Sequence, residues 1–249
     1  MKIKQFKLNG NFINFKIAHR GLHSESVSEN SMQAFRLAIE NNYAIEIDIH
    51  LMKDGELAVV HDSNLKRVTG HEVIVEDLTS AELEKYPLSM DGQTIPVLKD
   101  VLKLIDGAVP LLIELKFNDT FDEGQADALL KHLESYPYKD MIALQSFNPH
   151  AVKYLKEHTE EYSVGFLTSY KLGKGKFITY LLKSLKLLKR MHADFISYDI
   201  NYLPNKYVTK RRKKGMQVLT WTINSEEKLE KARQVADNII FEKINPVTQ

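Results

Sequence analysis

Short runs of apolar and β-branched residues alternate along this chain with amphipathic stretches of helical period. Side chains in a strand face opposite sides in turn, whereas apolar positions on a helix return every three or four residues. On that basis strands are predicted over 16–20, 44–51, 110–116, 141–146, 162–168, 194–199, 217–223 and 238–242. Helices are predicted over 31–42, 122–135, 149–158, 175–190, 204–214 and 225–236. Ser31 or Asn30 caps the first helix, Asn148-Pro149 opens the third, and Ser225 followed by Glu226 and Glu227 opens the last. Alternating strands and helices imply βα units on a parallel sheet. Eight such strands suggest an α/β fold closed into a (β/α)8 TIM barrel. The irregular stretch 52–96 is too long for a simple loop and reads as a small insertion after strand 2, with one or two short helices over one end of the barrel. The whole of 1–249 is expected to form a single domain.

Composition narrows this picture. With 43% apolar residues the chain can bury one large core, and the lack of cysteine excludes disulfides, thiolate metal sites and a cysteine nucleophile. The N-terminal MKIKQFKLNGNFINFK lacks the apolar stretch of a signal peptide, and no run approaches the roughly 18 apolar residues of a membrane span. A soluble, cytoplasmic protein is expected. The net charge of +1 conceals an asymmetry: residues 171–214 hold 13 Lys or Arg against two acids, Asp194 and Asp199. The simplest expectation is solvated lysine faces on two outer helices. Peripheral membrane contact through 171–214 is the alternative, because Phe177, Leu181, Leu182 and Leu185 interleave with Lys174, Lys176, Lys183 and Lys186. No nucleic-acid partner is expected, and the oligomeric state is left open.

Candidate chemistry gathers at strand ends, where barrel enzymes place it. His19 and Arg20 close the first strand and Gly21 turns the chain. Glu46 and Asp48 alternate with Ile45, Ile47 and Ile49, so they point the same way, about 6.5–7 Å apart along the strand. Two like charges held that close repel unless a cation sits between them, which argues for a metal. His61 and Asp62 end the run Leu57 to Val60, and Glu114 with Lys116 ends the third strand.

These residues form an ordered set: His19-Arg20-Gly21, Glu29-Asn30-Ser31, Glu46-Ile47-Asp48, Asp54-Gly55, His61-Asp62, Thr94-Ile95-Pro96-Val97-Leu98 and Glu114-Leu115-Lys116. Gln145-Ser146-Phe147 and Val218-Leu219-Thr220-Trp221-Thr222-Ile223-Asn224 follow. In this order the chain resembles the glycerophosphodiester phosphodiesterases of bacterial cytoplasmic type. The resemblance implies a TIM barrel with a small insertion and a Mg²⁺ or Ca²⁺ ion on Glu46, Asp48 and Glu114. It implies His19 and His61 as acid–base catalysts that pass through a cyclic phosphate. The substrate would be a small phosphodiester such as glycerophosphocholine or glycerophosphoethanolamine, yielding glycerol 3-phosphate and an alcohol. Ser28 stands where this family usually has proline. The last strand reads IIFEKINP rather than ending near T-D-x-P, so Phe241 and Glu242 alter one edge of the pocket.

The chemistry is consistent with those roles. Three carboxylates with no histidine or cysteine ligand favour a hard cation over zinc. Arg20 and Lys116 would grip phosphate oxygens, or pair with the carboxylates, or both. Asn30 is either a helix cap or an amide in the substrate site. Phe147 and Trp221, ending the fourth and seventh strands, would face substrate and cover glycerol or a choline cation. His50 faces inward beside Asp48 and is expected to support the site or pack, while His71, His132, His150, His158 and His192 belong to no constellation. Two other functions compete: a lysophospholipase D or sphingomyelinase D-like barrel acting on lipids, and a catalytically silent phosphodiester-binding barrel.

Overall fold

The computed structural model describes residues 7–8, 10–117, 121–170, 185–186 and 188–246. Nine strands are formed among these: β1 (Ile17–Ala18), β2 (Ala44–Leu51), β3 (Leu57–Val59), β4 (Leu111–Leu115), β5 (Ile142–Ser146), β6 (Ser163–Thr168), β7 (Phe195–Asp199), β8 (Gln217–Ile223) and β9 (Asn238–Phe241). Eight of them are parallel and close on themselves in the order β1-β2-β4-β5-β6-β7-β8-β9, with β9 pairing back to β1. The predicted barrel is therefore present. The ninth, β3, is antiparallel on the outer part of β2, pairing Leu57 with Leu51.

Among the described residues the α-helices are α1 (Gly10–Asn14), α2 (Met32–Glu40), α3 (Lys66–Thr69), α4 (Leu98–Ile105), α5 (Glu123–Glu134), α6 (Pro149–His158), α7 (Leu188–Met191), α8 (Lys206–Arg212) and α9 (Glu226–Val235). Ser31 rather than Asn30 caps α2, its hydroxyl accepting from the Ala34 N–H at 3.1 Å. Asn148 and Ser225 cap α6 and α9 as the sequence indicates, each cap contributing about 1 kcal/mol. Most of the helix predicted over 175–190, and with it the basic run 171–184, lies outside the described residues. Within the rest of that basic stretch, Lys206, Lys210, Lys213 and Lys214 are exposed to solvent on and just after α8. No helix among the described residues is long and apolar enough to cross a membrane.

The stretch after β2 carries β3, α3 and two short 3-10 turns, Val75–Asp77 and Ser80–Lys85. It has its own apolar cluster, including Met52, Ala58, Leu65, Val75, Leu83, Leu88 and Ile95. It runs into α4, whose Leu98, Val101, Leu102 and Ile105 are buried against the main core.

Alternation along each strand decides what the barrel holds. Ile45, Ile47, Ile49, Leu111, Ile113, Leu115, Leu144, Val164, Ile196 and Val218 point outward under the helices and form the main core. The intervening positions point inward and change character along the barrel axis. Toward the strand N-termini they are apolar: Ile17, Ala44, Leu112, Ala143, Phe195, Leu219 and Ile240 pack together, with Leu8 and the fully buried Phe12 of α1 in the same cluster. Phe195 occupies space that only Gly165 leaves, since a Cβ at 165 would stand 2.2 Å from that ring. Toward the C-termini the same faces carry Glu46, Asp48, Glu114, Gln145, Ser197 and Asp199. The chain thus seals the lower half with hydrocarbon and leaves the upper half for chemistry.

Candidate active site

The first strand is short because the chain leaves it in an unusual conformation. Arg20 (φ 56) and Gly21 (φ 77) are both left-handed. At Gly21 a Cβ would stand 2.9 Å from the Ala34 backbone and the Phe35 ring, so only glycine allows α2 to approach the turn. The turn aims the Arg20 N–H at Glu46 Oε2 (3.1 Å) and places its side chain at both Asp48 Oδ2 (3.2 Å) and Glu29 Oε1 (2.8 Å).

On the neighbouring strands Asp48 and Glu114 are in register, and Gln145 of β5 is in register with Glu114. Glu46, Asp48 and Glu114 are nearly inaccessible, and one oxygen of each lies within 4.8 Å of the others. Lys116 Nζ sits 2.8 Å from Glu114 Oε1 and 3.5 Å from Asp48 Oδ1. Three buried carboxylates therefore share two contacting cations, and uncompensated charge in such a place costs several kcal/mol. The proton affinities follow. Burial pushes the Glu114 carboxyl up to about 7, and burial together with Asp48 and Glu114 holds Glu46 well above the usual range. Burial would raise Asp48 too, but Lys116 and Arg20 outweigh it and keep that carboxyl well below its ordinary value. Glu114 and Asp48 in turn hold Lys116 above the usual lysine range against the effect of burial.

Above the carboxylates lies a cavity of about 90 Å³ lined by His19, Arg20, Glu46, His61, Glu114, Lys116, Gln145, Phe147, Leu167, Trp221, Thr222 and Ile240. A larger groove of about 470 Å³, between Met32 and Lys103, gathers only Asp100 and Lys103 as ionisable groups. We take the small cavity as the site because of its chemistry, not its size. His19 Nδ1 lies 2.8 Å from Glu242 Oε2, and His61 Nδ1 lies 2.6 Å from Asp62 Oδ1. Burial lowers the His61 imidazole below the usual histidine value, outweighing the pull of Asp48. Phe147 and Trp221 meet edge to face at 5.5 Å, and Lys116 Nζ stands 5.9 Å from the Phe147 ring centre.

A chain of ion pairs links the two halves of this site. Arg67 of α3 donates to Glu29 through both terminal nitrogens (2.9 and 2.6 Å) and to Asp62 through Nε. Glu29 in turn holds Arg20, and Asp62 holds His61. His50 supports His61 from below, with Nδ1 on Glu76 (2.8 Å) and Nε2 on the His61 carbonyl (3.1 Å).

Nine of the ten residues singled out from sequence meet at this cavity or directly beneath it. Asn30 stands behind them: it is buried, its Nδ2 donates to Asp48 Oδ2 at 3.0 Å, and it does not line the cavity. Sequence reading gave no site role to Gln145, Arg67 or the partnership of Glu242 with His19. Glu242 follows the inward-facing Ile240 by two positions, so strand alternation was the signal that could have found it.

Comparisons with known proteins agree with this arrangement. Residues 19–244 match the family described as glycerophosphoryl diester phosphodiesterase. A glycerophosphodiester phosphodiesterase of Caldanaerobacter subterraneus subsp. tengcongensis is 30% identical over 224 residues, covering 86% of this chain and 88% of that protein. A human lysophospholipase D is 26% identical over 257 residues, covering 89% of this chain and 80% of that protein. A phosphodiesterase from Oleispira antarctica, solved with its product sn-glycerol-3-phosphate, superposes with a TM-score of 0.79 at 24% identity, over 93% of each chain. The fold is the (β/α)8 barrel of these neighbours, and the family is one of phosphodiester hydrolases. The chain belongs to the glycerophosphoryl diester phosphodiesterase family, and its activity is the hydrolysis of glycerophosphodiesters.

Proposed function

We propose that the protein cleaves glycerophosphodiesters such as glycerophosphocholine and glycerophosphoethanolamine to sn-glycerol 3-phosphate and an alcohol, using a divalent cation and His19 with His61. The observation that carries this reading is the convergence of both histidines, each backed by its own carboxylate, on one cavity floored by three buried acids.

The residues fit a hard cation. All three carboxylates offer oxygen, they are short of positive charge, and the side-chain oxygens of Asn30 and Gln145 are buried without a hydrogen-bond partner. Glu46, Asp48 and Glu114 would hold Mg²⁺ or Ca²⁺, which when bound neutralises charge on the phosphate. Arg20 and Lys116 add positive charge on the same side of the cavity. Glu242 and Asp62 accept the Nδ1 protons of the two histidines and so leave each Nε2 to face the substrate. One imidazole takes the proton of the attacking hydroxyl and the other protonates the leaving oxygen. If the glycerol 2-hydroxyl attacks its own phosphorus, a cyclic phosphate results, and the two roles exchange when water opens it. Phe147 and Trp221 form the apolar wall against which the alcohol portion packs.

The test is release of glycerol 3-phosphate from glycerophosphocholine, read beside release of choline from lysophosphatidylcholine. Faster cleavage of the glycerophosphodiester is expected. Faster cleavage of the lysolipid would replace this reading with the one that the human relative's name suggests, and cleavage of neither would overturn both.

Arg67 touches no part of the cavity, yet it sets Glu29 and Asp62 together. Arg67→Ala is expected to lower kcat/KM by roughly 10–100-fold, the usual cost of losing a group that orients a reacting one. Both KM, through Arg20, and kcat, through His61, should suffer, with Arg67→Lys intermediate. Wild-type kinetics in Arg67→Ala would remove the relay from the account.

A further inference from the structure

One cluster at the rim is made of different donors from the carboxylate floor. His19 directly follows β1, and β9 pairs beside β1, which puts Glu242 next to it; the His19 N–H donates to the Phe241 carbonyl at 2.9 Å. The left-handed turn at Arg20 and Gly21 then brings His23 back over the same spot. His19 Nδ1 is 2.8 Å and His23 Nε2 is 3.7 Å from the same Glu242 oxygen, and donor atoms of the three residues lie within 4.8 Å of one another. His23 Nε2 is buried and has no hydrogen-bond partner, on a side chain only 11% exposed. A buried imidazole nitrogen with no hydrogen bond, reaching only to 3.7 Å from a carboxylate that already holds a second imidazole, is a donor set open to a ligand.

We infer that His19, His23 and Glu242 form a second cation site that takes zinc or a similar borderline metal and thereby inhibits the enzyme. Two imidazole nitrogens and one carboxylate oxygen are a usual zinc set, and nitrogen donors favour such metals over Mg²⁺ or Ca²⁺. Tetrahedral zinc with ligands at about 2.0–2.1 Å needs donors about 3.4 Å apart. The 2.8 and 3.7 Å distances to Glu242 straddle that value, so shifts averaging about half an ångström or less in these two contacts bring them to it, with the fourth position left for water. The floor of the cavity and its rim would then sort cations by hardness.

The inhibitory part rests on the reading of His19 as an acid–base group. With Glu242 accepting the Nδ1 proton, Nε2 keeps its lone pair and can accept and return a proton. A metal on Nδ1 requires that lone pair instead and fixes the single ring proton on Nε2. The imidazole then can neither take a second proton nor readily give up the one it has. Either role assigned to His19 is disabled by one ion.

The test is a zinc titration of the protein held in saturating Mg²⁺, with bound zinc read by competition against a chromophoric chelator and turnover followed in parallel. Wild type is expected to bind one zinc that Mg²⁺ does not displace and to lose at least tenfold in turnover. His23→Gln, outside the groups assigned to the reaction, should keep its Mg²⁺-supported rate and need at least tenfold more zinc for both effects. Cobalt(II) should give the strong visible bands of a tetrahedral nitrogen-containing site in wild type and lose them in His23→Gln. Equal zinc affinity in the two proteins, or zinc displaced by added Mg²⁺, would overturn the site. Zinc bound through His23 without loss of turnover would uphold the site and remove His19 from the acid–base pair.

Discussion

His61→Ala and His19→Ala are each expected to lower turnover of glycerophosphocholine by roughly 10²–10⁴-fold, the usual worth of a general acid or base. Both side chains line the cavity beside Glu46, Glu114 and Lys116, and each has a carboxylate on Nδ1, which in the proposed roles leaves Nε2 for the substrate. Neither is a core residue: the His19 side chain is 16% and the His61 side chain 31% exposed, and truncation should leave the fold and the circular dichroism unchanged. Substrate binding should also survive, because Arg20, Lys116 and the carboxylates stay in place. The signature is therefore a fall in kcat with KM nearly constant. Asp62→Asn tests the same idea through the partner, since an amide can present the wrong atom to Nδ1 and permit the wrong tautomer. Its loss should be smaller than that of His61→Ala. Normal turnover in either histidine variant would take that residue out of the mechanism.

Removing divalent cations should cost roughly 10³-fold or more in turnover, the several kcal/mol that a cation contributes to a phosphate transition state. Its pH dependence follows from the carboxylates. Burial raises Glu114 to about 7, so in the cation-free protein that carboxyl is partly protonated near neutrality, and burial with Asp48 and Glu114 pushes Glu46 the same way. Asp48 is already ionised. Binding a cation displaces those protons, so affinity must rise with pH through about 7, by up to tenfold per pH unit for each proton released. The stability sign runs the other way without cation. A carboxyl with a raised folded pKa favours folding below its unfolded pKa and loses that contribution as pH climbs through the folded value. Cation-free protein should thus soften between about pH 5 and pH 8, and added Mg²⁺ or Ca²⁺ should raise Tm more at pH 8 than at pH 6. Calorimetry in two buffers of different ionisation heat measures the protons released. Affinity flat from pH 6 to pH 8, with no proton release, would move the cation away from Glu46 and Glu114.

The barrel was legible because strand alternation is so regular. AIEIDIHL reads directly as isoleucines outward and ionisable groups inward, and β2 and β8 occupy the predicted ranges. The first strand was overdrawn, since Arg20 and Gly21 leave it in left-handed conformations that no hydrophobic pattern encodes. Helix α4 is not among the helices predicted from sequence, although Leu98, Val101, Leu102 and Ile105 carry a plain helical period. His19, Glu46, Asp48, His61 and Glu114 were legible as candidates from residue type and position at strand ends. Their partners were not. Glu242 lies 223 positions from His19, and Arg67 lies 38 from Glu29, so closure of the ring and docking of α3 create pairings that local sequence cannot announce.

The Arg20–Glu29–Arg67–Asp62–His61 relay also has a consequence for when the enzyme is competent. His19 belongs to the barrel wall, whereas His61 is delivered by a stretch with a separate apolar cluster, and Arg67 is the rivet between them. A nascent or partly melted chain whose barrel has closed but whose outer stretch is undocked would hold only one of the two histidines proposed to transfer protons. With His19 and His61 in their proposed roles, turnover is expected only once the outer stretch has docked on the closed barrel.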